Sequence, residues 1–187
     1  GVSERVSGDT SIKRVLELKK GIIGTVSDLG KVPSKYNLAL EVAAGQRIKS
    51  VVVDNDSVAA GCIKYLRDNK LGVVTFLPMN KLNPQPVSDE ARKLAKMPGV
   101  KGLAIDLISY DPRYRNVFLF VLGSTIVVDD IEVARGIGVG RARMVTLEGD
   151  LVEPSGAMVG GFRRSVGAFK EKDLEADVDR LDGDVRR

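Results

Sequence analysis

The segment Gly24-Thr25-Val26-Ser27-Asp28-Leu29-Gly30-Lys31-Val32 has the glycines and lysine of a phosphate-binding loop, in which backbone amides wrap a phosphate and a Ser or Thr hydroxyl meets magnesium. Its spacing does not fit: five residues separate the glycines where four are needed, and Val32 stands where the hydroxyl belongs. Gly136-Ile137-Gly138-Val139-Gly140-Arg141-Ala142 is similar to the hairpin of helix-hairpin-helix DNA binders, whose amides meet a phosphate. That hairpin must be followed by a helix, and here Met144-Val145-Thr146 reads as a strand, which makes the segment a helix-to-strand loop. The pairs Asp54/Asp56 and Asp129/Asp130 carry the hard oxygens that Mg²⁺ or Ca²⁺ takes. Each also stands between an apolar strand and a helix, where Asp satisfies unpaired N–H groups and the helix dipole, so capping is expected instead of a metal site.

The 187 residues include no His, which removes Ser-His-Asp and Cys-His pairs, a His general base and a His-built zinc site from this chain. Cys62 is the one cysteine and has no disulfide partner; its place among Val58, Ile63 and Leu66 predicts a small buried hydrophobe. No catalytic residue, metal site or cofactor emerges. Lys and Arg number 29 against 25 Asp and Glu, a mild +4 that permits nucleic-acid binding without requiring it. The apolar runs at 117–122 and 126–128 are far shorter than the ~20 residues of a membrane helix, so a soluble, cytoplasmic chain with no membrane partner is expected.

The elements that must carry these residues come in two copies. Val51-Val52-Val53-Asp54 with Val58-Ala59 and Gly61 matches Ile126-Val127-Val128-Asp129 with Val133-Ala134 and Gly136. Pro33 and Asn37 match Pro112 and Asn116 upstream, and Val74-Thr75-Phe76 matches Val145-Thr146-Leu147 downstream. Each half reads as a Pro-started helix (34–44, 113–122), a short apolar strand (50–53, 125–128) whose terminal Asp caps the next helix (56–69, 130–135), and a second strand (73–77, 143–147). The spacing predicts a helix at 88–97 between the halves, stopped by Pro98-Gly99.

The ends differ from the middle. Leu174, Val178, Leu181 and Val185 follow the a/d rhythm of a coiled coil, and Ile12, Val15, Leu18 and Ile22 give a partial stripe near the start. Just before the second of these arms, Gly156, Gly160 and Gly161 fall beside a predicted strand, where the lack of a Cβ lets another backbone approach.

Taken together, Leu38-Ala39-Leu40-Glu41-Val42-Ala43-Ala44-Gly45, the two apolar strands, Thr75-Phe76-Leu77-Pro78 and above all the long block from Val145-Thr146-Leu147-Glu148-Gly149 through Pro154-Ser155-Gly156-Ala157-Met158-Val159-Gly160-Gly161 resemble the hinge of structural-maintenance-of-chromosomes (SMC) proteins. The resemblance implies an α+β fold of two pseudo-repeated subdomains flanked by the roots of an antiparallel coiled coil. The corresponding division is a first root at 1–20, subdomains at 21–87 and 100–163, a linker helix at 88–99 and a second root at 164–187. It also implies a homodimer in which the N-terminal subdomain of one hinge meets the C-terminal subdomain of the other, and it carries the family's glycine-rich interface onto Gly156, Gly160 and Gly161. A whole SMC protein of this kind is an ATPase that organises and segregates chromosomes in the cytoplasmic nucleoid. Its ATP, Mg and kleisin-type partners engage head domains whose motifs do not occur in this chain, so no catalysis is expected of the chain itself. DNA is a further expected partner, with Lys19, Lys20, Arg141, Arg143, Arg163 and Arg164 as candidate phosphate contacts. Aromatics make up only 5%, so base stacking is not expected to contribute much. A DNA-binding module and a stand-alone nucleotide-binding enzyme are the alternatives.

Overall fold

Val51, Val52 and Val53 are β-branched and all three are buried, as in a central strand covered on both faces. In the computed structural model, which describes residues 2–172, this strand β3 (Val51–Val53) lies between antiparallel β1 (Ile22–Thr25) and parallel β4 (Phe76–Pro78). The second half repeats the plan, with β6 (Ile126–Val128) between antiparallel β5 (Val100–Leu103) and parallel β7 (Met144–Thr146). Both antiparallel pairings break register at the same place, between Ile22 and Gly24 and between Val100 and Gly102.

The helices repeat as well. Past the single-turn α2 (Val26–Leu29), a 3₁₀ turn at Ser34–Tyr36 leads into α3 (Asn37–Ala44), and one at Pro112–Tyr114 leads into α6 (Arg115–Leu122). Crossover helices α4 (Asp56–Asp68) and α7 (Ile131–Ile137) then join the parallel strands. Their caps stand one residue later than the Asp54 and Asp129 expected from sequence. Asn55 Oδ1 accepts from the Val58 N–H at 2.9 Å and Asp130 Oδ1 accepts from the Val133 N–H at 2.9 Å. Asp54 and Asp129 instead donate their N–H groups to the carbonyls of Gly21 and Gly99, each at 2.9 Å, which closes the strand ends.

The strand expected at 73–77 also shifts. Because β3 is only three residues long, it offers partners to Phe76–Pro78 alone, and 71–75 runs without a ladder. Helix α5 (Asp89–Leu94) between the halves is shorter than 88–97, with the Ser88 hydroxyl accepting from the Ala91 N–H at 3.1 Å. Beyond β7 the second sheet continues through β8 (Leu151–Val152) to β9 (Met158–Val159), while β2 (Lys31–Val32) pairs in parallel with β10 (Lys170–Glu171).

The two halves share one core. Leu40 of α3, Val52, Phe118 and Leu122 of α6, Ile126 and Met144 belong to a single buried cluster, and the Tyr110 ring stacks on Phe118 at 4.6 Å. A smaller cluster holds Val15 of α1 (Val2–Glu17) against Val51, Val53, Ala59, Cys62 and Leu66, with Ile12 and Leu16 packed beside it. The N-terminal stripe therefore docks on α4 through Ile12 and Val15, whereas Leu18 and Ile22 fall past the helix end. Arg14 Nε donates to the Tyr65 hydroxyl at 3.1 Å and fixes the same contact. Residues 164–169, placed with the second coiled-coil root on sequence grounds, have no helical structure and lead into β10; Leu174, Val178, Leu181 and Val185 lie outside the described residues. Among the described residues no helix is long and apolar enough to cross a membrane.

Candidate dimer interface

The glycine-rich block forms the outermost hairpin of the second sheet. Leu151 pairs with Val159 and Val152 with Met158, and a turn at 153–157 closes with the Glu153 N–H on the Ala157 carbonyl at 2.8 Å. Gly156 occupies that turn at φ +98°, a conformation that side-chain-bearing residues rarely adopt, with open space where a Cβ would stand. Strand β9 is the edge of the sheet, and its two residues, Met158 and Val159, are 47% and 50% exposed. An unpaired edge with apolar side chains is a template for another strand.

Gly160 and Gly161 have a role within the chain that the sequence did not signal. The Asp150 carboxylate accepts from the buried Thr146 hydroxyl at 3.0 Å and from the Gly161 N–H at 3.3 Å, while the Asp150 N–H returns to Thr146 Oγ1 at 2.9 Å. A Cβ on Gly160 would run into Oδ1 of that carboxylate and lie 3.0 Å from its Cγ. Glycine at 160 thus lets Asp150 tie the end of β9 to the end of β7. Gly161, at φ +142°, has nothing within 4 Å of its Cβ direction.

A second free edge lies in the first half. By the repeat, β4 corresponds to β7, but β7 is covered by β8 whereas, among the described residues, β4 has no strand beyond it. Ahead of β4, Val73 is 96% exposed on the extended run 71–75. Pro78 has no N–H and ends the usable edge there.

The family model for the SMC proteins Flexible Hinge Domain matches residues 19–138. The chain belongs to the SMC hinge family. The chromosome partition protein Smc of Methanocaldococcus jannaschii is 40% identical over 181 residues, which is 95% of this chain and 15% of that protein. The protein of the same name from Synechococcus is 47% identical over 151 residues, 79% of this chain and 12% of that one. The hinge thus spans about one seventh of the archaeal relative's length. Among solved structures, an asymmetric dimer of the Geobacillus stearothermophilus SMC hinge domain superposes with TM-score 0.78 at 33% identity, over 95% of this chain and 76% of that one. The Pyrococcus furiosus SMC hinge domain gives 0.68 at 40% identity, over 88% and 90%.

The basic residues singled out in the hinge sequence separate into two places. Arg141 and Arg143 line a cleft of about 710 Å³ at the C-terminal ends of α3 and α6. Arg163 and Arg164 line an adjoining one of about 430 Å³, and the two share Gly45 and Gln46. Lys19 and Lys20 line neither and sit in the turn between α1 and β1, Lys19 at φ +63°. Two cations escaped notice in the sequence: Arg47 and Lys49, on the 3₁₀ turn after α3, which border the same clefts. Their alternation behind Gly45 was the available signal.

These cations are not equally free. Arg47 donates to the Phe120 carbonyl at 2.7 Å and lies 4.2 Å over the Phe120 ring. Arg143 donates to the Ala43 carbonyl and to the buried Thr125 hydroxyl, both at 2.9 Å, and Arg141 pairs with Glu90 at 2.7 Å. Each half thereby sends a guanidinium to the carboxyl end of the other half's helix, where a positive charge is favoured. Elsewhere, Asp129 holds the Lys101 ammonium at 3.0 Å, and the Asn80 amide donates to Asp56 at 2.8 Å and holds that carboxyl below the ordinary carboxylate range. Among the described residues no group of three or more Cys, Asp or Glu could hold a metal ion.

Proposed function

We propose that this hinge joins two copies of its chain, with the β9 edge of one protomer pairing with the β4 edge of the other. The observation that carries this is the asymmetry between the repeats: the second sheet goes two strands further than the first and ends on half-exposed Met158 and Val159, while the first stops at β4 with Val73 bare. Strand addition would complete the ladder that 71–75 lacks, and a two-fold axis would use the contact twice and close the pair into a ring. The Geobacillus hinge, solved as a dimer, adds support. Placed within a protein several times its length, the dimer would hold two coiled-coil arms of a chromosome-partitioning SMC ATPase, whose ATP, Mg and kleisin-type partners belong to its head domains in the cytoplasmic nucleoid. Sedimentation equilibrium at micromolar concentration tests the pairing: the expected mass is twice the 20.2 kDa of one chain. A single-chain mass at every concentration would refute it.

A second proposed activity is sequence-blind DNA binding along the two clefts, favoured by Lys49, Arg163 and Arg164 gathering on one wall beside Arg47, which is itself held by the Phe120 carbonyl. Arg141 and Arg143 are committed to Glu90 and to the Ala43 carbonyl, so they take the smaller share. Electrophoretic shifts at low and moderate salt test this, with charge reversal at Arg163 and Arg164 expected to abolish the shift. An unchanged shift would remove the proposal.

A further inference from the structure

After β9 the chain crosses from the second sheet back to the first half as a strap with almost no burial of its own. Residues 160–167 are all exposed, Phe162 at 86% and Val166 at 83%, and only Phe169 at the far end is fully buried. What holds the middle of the strap is one carboxylate on α3. Glu41 Oε1 accepts from the Ser165 hydroxyl at 2.9 Å and from the Ala168 N–H at 2.9 Å, and Oε2 accepts from the Val166 N–H at 3.1 Å. Ser165 Oγ in turn accepts from the Gly167 N–H at 3.2 Å, which folds the strap around the carboxylate. Upstream, the Gly161 N–H on Asp150 pins the strap to the second sheet. Downstream, β10 pairs with β2, and the Lys172 ammonium donates to the Ser109 hydroxyl at 2.7 Å.

Resting on the dimer reading above, we propose that Glu41 is the positioning residue of the pairing edge: it clasps the strap so that β9, which runs into it through Gly160 and Gly161, is held for a second copy and moves as one piece with β10. The physical basis is the donor count. Three donors converge on two oxygens that can each accept more than one hydrogen bond, and hydrogen bonds to a charged acceptor are stronger than neutral ones. Phe162 and Val166, the large apolar side chains of that span, are 86% and 83% exposed, so little burial stands in for these bonds and losing the carboxylate would loosen the strap. The edge presented to a partner and the strand that leads to the C-terminal end of the described chain are therefore linked through α3.

Glu41→Gln is the direct test. The amide offers one acceptor oxygen in place of two and turns its NH₂ toward an N–H donor, with little change of shape. Hydrogen exchange and sedimentation are measured on the 187-residue chain and on this variant. Exchange should accelerate about tenfold or more at 165–168 and also rise at 170–172, and the dimer dissociation constant should rise about tenfold, the size expected for losing hydrogen bonds to a charged group, with the thermal midpoint nearly unchanged. Ser165→Ala, which keeps both amide bonds, should move the same readouts by less. A variant that dimerises as tightly as wild type overturns the proposal. If wild type itself never dimerises, the dimer reading is what fails, and the clasp stands or falls by exchange: acceleration at 165–168 with none at 170–172 would overturn it.

Discussion

Gly99 lies directly beneath Val133, so close that a Cβ on the glycine would stand 2.8 Å from both methyls of the valine. Gly21 and Val58 stand in the same relation in the first half, at 2.5 Å, and both glycines have positive φ, +81° and +75°. Each ties the start of an antiparallel strand to the end of the central strand, its carbonyl accepting from the N–H of Asp54 or Asp129 just ahead of the crossover helix. Gly99→Ala is expected to combine left-handed strain of about 1 kcal/mol or more with a clash of similar size. Chemical denaturation should show a loss of about 2–4 kcal/mol; a loss under 0.5 kcal/mol would mean that the backbone here adjusts freely.

The shared core makes a second prediction. A Cβ on Gly30 would lie 2.7 Å from Ile108 Cδ1 and 3.2 Å from the Phe118 ring, in ordinary extended backbone. Gly30→Ala should therefore destabilise by overpacking alone, about 1–3 kcal/mol. Pairing it with Phe118→Leu, which removes ring atoms from that spot, should recover part of the loss in a double-mutant cycle.

Acid tests the Asp56–Asn80 contact. The Asn80 amide lowers the pKa of Asp56 in the folded state, so the stabilisation is fully present above the ordinary carboxylate value and is lost as pH falls through the lower folded one. A carboxyl-resolved NMR titration should place Asp56 below typical exposed aspartates, and Asn80→Ala should move it back toward them. No shift between the two proteins would contradict the assignment.

Arg143 separates structure from DNA contact. Its loss leaves the buried Thr125 hydroxyl and the Ala43 carbonyl without this donor, so Arg143→Ala should lower stability by about 1–3 kcal/mol. Arg163→Ala with Arg164→Ala should leave stability within about 0.5 kcal/mol and reduce the salt dependence of DNA binding by about 1–2 in slope. If the salt slope is the same in both variants, the two exposed arginines are not the principal phosphate contacts.

The repeat itself was legible because burial on both faces demands near-continuous apolar runs, and Val51–Val53 and Ile126–Val128 are such runs. The buried setting of Cys62 also followed from helical spacing, and burial raises its thiol pKa. Long-range partners were not legible. Glu41 reads as a surface residue of an amphipathic helix, and its three donors are more than 120 positions away. The caps at Asn55 and Asp130 were missed by one residue because neighbouring Asp54 and Asp129 have equally suitable side chains, and only the strand register decides between them. Gly160 was read as a place for a second backbone; within the chain it also makes room for Asp150, a contact ten positions away that spacing does not reveal.

The edge-to-edge pairing is tested most directly by a short bismaleimide applied to an equimolar mixture of the Val73→Cys and Val159→Cys chains after subunit exchange, with Cys62 buried in both. Covalent dimers that join unlike chains should dominate in the mixture, and each variant alone should give almost none. Equal yields from either variant alone, or no cross-linking in the mixture, would contradict it.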